Sequence, residues 1–149
     1  MDPTHPTRPA GARRALVGWR LLALAYDLFP AAGLWFLVAS AFVAAHGDAV
    51  TGGTLGLLEF GALWLVTGLY AVASWRRGGQ TLGMRPWGLR VTAADGGPAS
   101  LRALVVRYVA GTASLLLGGL GFWWAWLDRD RLAPHDRASG TRLVRTPRA

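Results

Sequence analysis

The feature that most constrains the fold is a long apolar run, from about Leu16 to Ala44, that contains the charged residues Arg20 and Asp27. As a helix this run spans roughly 40 Å, which exceeds the ~30 Å hydrocarbon core of a bilayer. A charged side chain near the bilayer centre costs about 2.5–3.5 kcal/mol, so a helix that served only as an anchor would hold apolar residues there. The run therefore predicts a membrane-spanning helix whose charges are compensated inside the fold.

A secretory signal peptide is the alternative interpretation of this run, because Arg13 and Arg14 precede it and residues 39–41 resemble a cleavage site. The apolar stretch is far longer than the usual 7–15 residues, and signal cores do not normally contain an aspartate. These two features favour a retained membrane helix.

The composition also favours a membrane protein. Of the 149 residues, 52% are hydrophobic and 16% are charged, whereas soluble domains carry about 25% charged residues. The net charge of +8 comes from arginines that crowd the ends of apolar runs, as the positive-inside rule expects, and we expect no nucleic-acid partner. The chain has no cysteine, which excludes disulfides and thiolate metal sites.

A second apolar run, residues 55–75, has the right length for one crossing and is followed by Arg76 and Arg77. The intervening loop, residues 46–54, has no arginine, so the positive-inside rule places it outside and the N-terminus in the cytoplasm. The two runs predict a helical hairpin. Residues 76–102 are too polar to cross; residues 89–92 have weak strand character, and Ser100 is a candidate helix N-cap.

A third apolar run, residues 101–127, is interrupted by glycines between Gly118 and Gly121, and six arginines follow it. A complete crossing would place these arginines outside, against the positive-inside rule, whereas a chain that turns back at the glycines keeps them inside. We favour the re-entrant arrangement over the plain crossing. The prediction is an all-α membrane protein, a bundle of three hydrophobic helical segments with a small cytoplasmic loop and strand element.

Asp27 is the candidate ion or proton site. Pro30 removes the helical donor for the carbonyl of Tyr26, so a buried carboxylate lies beside a free carbonyl, an arrangement suited to a cation or proton. Alternatively, Arg107 or Arg102 of the third run pairs with Asp27 and locks the bundle. The sequence leaves both alternatives open.

Glu59, near the start of the second run, is expected to be an interfacial carboxylate, or a second buried acid if it lies deeper. No catalytic constellation is visible, because His135-Asp136 has no nucleophile motif to join it, and His5 and His46 are isolated. We therefore expect no enzyme, no metal site and no cofactor.

Three separated stretches share a recognisable order and spacing. They are Arg20-Leu21-Leu22-Ala23 with Asp27, then Gly79-Gln80-Thr81-Leu82-Gly83 with Gly88-Leu89-Arg90-Val91, and finally His135-Asp136 with Gly140-Thr141-Arg142-Leu143-Val144. The pattern resembles the RDD family of small bacterial inner-membrane proteins, which is named for one arginine and two aspartates. It covers residues 16–145, which leaves residues 1–15 as a disordered basic leader and residues 146–149 as a tail.

Carried over by position, the resemblance implies that Arg20 and Asp27 are the first two family charges and Asp136 the last, with Asp128 as the less favoured alternative. If Asp136 acts with Arg20, the tail lies inside, and Gly-Thr-Arg-Leu-Val then pairs with Leu-Arg-Val as short strands. Met84 departs from the basic residue that often follows the second glycine of the middle stretch, and Arg85 stands next to it.

The family is largely uncharacterised, and transport, including cation/proton antiport for some members, has been suggested for it. One hypothesis is therefore small-solute or cation/proton transport with Asp27 as the ionisable site. Three apolar segments are few to enclose a pathway, so this function implies a homo-oligomer. The alternative is a non-catalytic protein that assembles with a membrane partner and whose buried charges are structural. Membrane lipids are expected contacts in both cases.

Overall fold

The computed structural model describes residues 16–119, 124, 127 and 132–146, and these parts are mostly helical. The elements are helix α1 (Val17–His46), helix α2 (Gly53–Gly78), a 3-10 turn (Arg85–Trp87), strand β1 (Leu89–Ala93), helix α3 (Leu101–Leu116), helix α4 (Pro134–Ser139) and strand β2 (Thr141–Arg145). Two long apolar helices with a small sheet confirm the predicted fold class. The predicted leader and the last three residues of the tail lie outside the described residues.

Helices α1 and α2 are both long and apolar enough to cross a membrane. Their 30 and 26 residues give lengths of about 45 Å and 39 Å. Large apolar side chains cover their outer surfaces, and Phe29, Phe36 and Leu57 are 79%, 71% and 73% exposed. Contiguous apolar surface of this kind is rare on soluble monomers and suits contact with lipid chains.

The two long helices form the predicted hairpin. Helix α1 continues through Pro30 and ends at His46, where Gly47 has a φ of +86° and donates its N–H to the carbonyl of Val43. Helix α2 begins after a loop of six residues, 47–52, and packs against α1. The connecting loop is therefore slightly shorter than the sequence predicts.

Helix α3 is shorter than a full crossing. Ser100 caps its N-terminus as predicted, because its hydroxyl accepts the N–H of Ala103 at 3.2 Å. Its 16 residues rise about 24 Å, less than the ~30 Å hydrocarbon core. The helix ends at Leu116, and Gly118 and Gly119 follow with φ of +69° and +75°. The described helix therefore ends where the glycines were expected to interrupt it.

The chain beyond α3 returns to the end of the bundle from which α3 starts. Strand β2 pairs antiparallel with β1, with Val91 opposite Leu143, which confirms the predicted strand pairing. The N–H of Val91 also donates to the carbonyl of Gly79 at 2.7 Å, which ties the sheet to the end of α2. We call this end of the bundle the sheet end. It comprises the start of α1, the end of α2, the start of α3, the two-stranded sheet and α4.

The core of the described chain lies at the sheet end. Its buried members come from α1, the loop after α2, β1 and α3, and they are Ala23, Met84, Leu89, Val91 and Leu104. Since the lipid-facing helices expose most of their side chains, this small core and the polar contacts beside it determine how the elements meet.

Because α1 begins and β2 ends at the sheet end, we predict that both termini lie on one side of the membrane. Topology reporters fused before Met1 and after Ala149 should report the same compartment. A reporter inserted in the loop between α1 and α2 should report the opposite compartment. Terminal reporters on opposite sides would contradict this arrangement.

Candidate functional site

One buried carboxylate, that of Asp136, binds two arginines from different helices. Oδ2 accepts a hydrogen bond from Arg20 Nη2 at 2.6 Å, and Oδ1 accepts one from Arg107 Nη1 at 2.5 Å. The N–H of Ala133 donates to Oδ2 at 3.0 Å. Asp136 is 1% exposed, and both arginines are 6% exposed. The predicted association of Asp136 with Arg20 is thus present as a direct ion pair.

Local sequence explains how α4 presents this carboxylate. Pro134 occupies the first helical position, where its missing N–H costs nothing. Asp136 lies in the first turn, so its carboxylate accepts a hydrogen bond from the N–H of Ala133. Its negative charge also interacts favourably with the positive end of the helix dipole. At the other end of α4, Thr141 Oγ1 accepts from Arg107 Nη1 at 2.8 Å. The arginine is therefore held by α4 and β2 together.

The cluster carries two positive charges and one negative charge. Burial by itself raises the pKa of Asp136, but the charges of Arg107 and Arg20 together have the larger, opposite effect. The net result is a pKa lowered to about 2. Burial, followed by the charge of Arg107, lowers the pKa of His135 to about 4. Arg20 Nη1 lies 3.3 Å from His135 Nε2, and because a guanidinium only donates, Nε2 is the accepting nitrogen of a neutral ring.

Asp27 is held by neutral donors. Its Oδ1 accepts from the hydroxyl of Tyr70 at 2.7 Å and from the N–H of Gly83 at 2.8 Å. Its Oδ2 accepts from the hydroxyl of Thr81 at 2.5 Å. Tyr70 lies on α2 and the other two donors lie in the loop after it, so this half-buried carboxylate joins α1 to α2 and to the loop.

The close approach of the loop to α1 requires a glycine. A Cβ atom at Gly83 would collide with the carbonyl oxygen of Ala23 and would lie 2.7 Å from the Asp27 backbone nitrogen. Only a residue without a side chain lets the N–H at this position reach the carboxylate of Asp27. The second glycine of the middle motif therefore serves the Asp27 contact.

The pairing of Asp27 with Arg107 or Arg102, one of the two alternatives that the sequence left open, is not what the structure shows. Arg107 binds Asp136 instead, and Arg102 is exposed at the first turn of α3. Across the described part of the chain, no arginine lies within ion-pair distance of Asp27. The structure therefore separates these three charges into two sites, one with Arg20 and Asp136 and the other with Asp27.

Glu59, a further candidate residue, lies away from both sites. Glu59 is half-buried on α2, six residues or about 9 Å from the start of that helix. Asp128, the alternative to Asp136, lies outside the described residues. The searched part of the chain contains no group of three or more histidine, aspartate or glutamate side chains that could hold a metal ion.

A cavity of about 380 Å³ lies between α1, α2 and α3 and connects the two sites. Arg20, Arg107 and His135 line one end of the cavity, and Asp27 and Tyr70 line its wall. The rest of the lining is mainly apolar. Its volume falls within the range of about 300–1,000 Å³ that is typical of small-molecule pockets.

Sequence reasoning missed the neutral donors around Asp27. Tyr70 and Thr81 are ordinary polar residues, and nothing in their spacing indicates a shared partner. The one usable signal is the Gly79-Gln80-Thr81-Leu82-Gly83 stretch, which places a hydroxyl between glycines at the end of a membrane helix. The role of this stretch becomes apparent only once the packing of the loop against α1 is known.

We predict that Asp136→Asn strongly destabilises the fold, because it leaves two buried guanidinium groups without a counter-charge. Removing one partner of a buried ion pair costs about 3–5 kcal/mol, and unfolding of the purified protein in detergent would measure the loss. The control is Asp95→Asn, at an exposed turn position whose side chain accepts only the N–H of Gly97. A change below about 1 kcal/mol for Asp136→Asn would contradict a central role for the cluster.

We predict that the protein loses stability in mild acid because His135 is buried as a neutral ring. Its pKa is about 4 in the folded protein and about 6.5 in an unfolded chain, so only the unfolded state takes up this proton between those values. Stability contributed by the neutral ring is complete above pH 6.5 and falls toward pH 4, by up to about 3 kcal/mol.

His135→Gln should flatten this part of the stability profile, measured as unfolding free energy in detergent between pH 7 and pH 4. His46→Gln, at an exposed position on the end of α1, should leave the profile unchanged. Identical profiles for wild type and His135→Gln would refute the assignment of a neutral buried ring.

Comparison with known proteins identifies the family. Neither the curated proteins nor the solved structures compared with this chain contain a significant match. A family model described as the RDD family matches residues 14–140, a range that includes Arg20, Asp27, Arg107 and Asp136. The resemblance found in the sequence motifs is confirmed, and the chain is a membrane protein that belongs to the RDD family.

Proposed function

We propose that this protein carries a small solute or cation across the bacterial inner membrane, with Asp27 as the ionisable group on the wall of its binding cavity. The observation that carries the proposal is a carboxylate between membrane-spanning helices that lines a cavity and has no cationic partner in the described ranges. Ionisable groups within transmembrane segments often mark ion or substrate pathways.

The contacts of Asp27 suggest how its charge affects the structure. Two hydroxyls and one backbone N–H donate to the carboxylate, and all three bonds are strongest when it is ionised. A bound proton or cation competes with these donors. The charge state of Asp27 is therefore coupled to the contact of α1 with α2 and with the loop at residues 79–84. A two-state change in that contact is what alternating access requires.

The proposal includes an orientation and an oligomeric state. Arg76 and Arg77 at the end of α2 favour a cytoplasmic sheet end and a cytoplasmic N-terminus, by the positive-inside rule. Two long helices and one short helix are few to surround a pathway, so we infer that several copies assemble around it within the lipid. The protein acts as a carrier and not as an enzyme.

The transport test is flux in proteoliposomes. An imposed cation gradient should drive proton movement through the wild-type protein, and Asp27→Asn should reduce the rate at least tenfold because the variant cannot change its charge. The matched control is Asp48→Asn in the exposed loop between α1 and α2, which should transport at the wild-type rate. Wild-type flux no greater than that of Asp27→Asn removes the proposal.

A second candidate function is supported by the same contacts. Asp27 joins α1, α2 and the loop, and Asp136 joins α1, α3 and α4, so both charges are suited to hold a scaffold that assembles with another membrane protein. Thr81→Val distinguishes the two functions, because it removes a donor and keeps the carboxylate. If the protein is a scaffold, Thr81→Val and Asp27→Asn should both reduce the abundance of the protein in the membrane. The wild-type protein should then show no flux in proteoliposomes.

A further inference from the structure

The end of the cavity formed by Arg20 and Arg107 has an excess of positive charge. Two guanidinium groups share one carboxylate there, and the neighbouring His135 ring is neutral. Both arginines line the cavity and are 94% buried, as their 6% exposure implies. One positive charge in this cluster therefore has no counter-charge within the described residues.

One donor at this end also lacks an acceptor. Arg20 Nε is buried and has no hydrogen-bond partner among the described residues, although Nη1 and Nη2 of the same side chain are bonded. A buried donor left without an acceptor destabilises the fold, and more so when it is charged. The described contacts of Arg20 therefore leave its guanidinium incompletely compensated, and an anion beside it in the cavity would neutralise the excess charge.

The rest of the cavity determines what the anion is attached to. Beyond the arginines the lining is mainly apolar, with Leu28, Ala31 and Leu115 among its members. Asp27 lies seven residues after Arg20, or about 10 Å along α1. Its negative charge disfavours a second anionic group on that side. The field between the two sites therefore orients a ligand with its anionic group at Arg20 and its apolar part toward Leu28 and Ala31.

From these observations we propose that the cavity binds a small amphipathic monoanion, a carboxylate on a short apolar chain. A single negative charge matches the single excess positive charge, and a carboxylate has the planar geometry that guanidinium groups bind well. This inference names the solute class for the cavity and rests on the proposed function. The same chemistry could come from a free carboxylic acid or from an anionic lipid with one chain in the cavity.

The probe is decanoate, added below its micellar concentration to the full chain in a non-ionic detergent. Binding is followed by tryptophan fluorescence, since Trp35 and Trp75 line the cavity. Decanoate should bind at least tenfold more tightly than decanol, which has the same chain and no charge. Equal affinities would overturn the assignment of an anionic group.

Two variants locate the ligand. Ala31→Phe fills the apolar part of the cavity and should weaken decanoate binding at least tenfold. The matched control, Ala32→Phe, alters the adjacent exposed position and should bind as the wild type does. Arg20→Lys keeps a cation near Asp136 but removes the planar guanidinium, so it should reduce the preference for decanoate over decanol. Unchanged binding in Ala31→Phe would show that the cavity is not the site.

Competition separates the two sources of the anion. If phosphatidylglycerol, whose anion is a phosphodiester, displaces decanoate and Ala31→Phe weakens both, the site takes the monoanion of a lipid, and its assignment to a carboxylate is overturned. Decanoate binding without any flux in proteoliposomes would uphold this inference and remove the transport function. Flux that depends on Asp27 without decanoate binding would do the reverse.

Discussion

The carboxylate of Asp136 is the group on which the sheet end depends. Taking three charges out of water costs several kcal/mol per ion, and this cost is offset only where short hydrogen bonds satisfy each group. Asp136 makes such bonds to arginines of α1 and α3 while its own helix, α4, packs on α3. Since the long helices expose most of their side chains, these ionic contacts fix the relative positions of elements that have little apolar core in common.

Asp27 and Asp136 have different physical environments. Asp136 is fully buried and lies between cations, which hold it ionised across the physiological pH range. Asp27 is half-buried and, among the described residues, receives hydrogen bonds from uncharged groups of α2 and the loop. The first environment suits a permanent structural charge. The second suits a charge that responds to what enters the cavity that both sites line.

Much of the fold could be predicted because its signals are local. Hydropathy and terminal arginines gave the hairpin, Ser100 gave the start of α3, and the glycines at 118 and 119 gave its end. The pairing of the two strands followed from matching patterns and the family resemblance. The choice of partner for Arg107 could not be predicted, because Asp27 and Asp136 both offer a carboxylate and only tertiary packing decides between them. The donors around Asp27 are neutral, so the pattern of charged residues along the sequence does not indicate them.

The order in which the charges of the cluster are synthesised has a consequence for biogenesis. Arg20 and Arg107 leave the ribosome well before Asp136, which lies 29 residues after the second arginine. During insertion both guanidinium groups therefore have to remain at the hydrated lipid surface, where their long side chains reach the headgroups. They become buried only when α4 arrives. The ion cluster of the sheet end can therefore form only after both arginine-bearing helices have been synthesised.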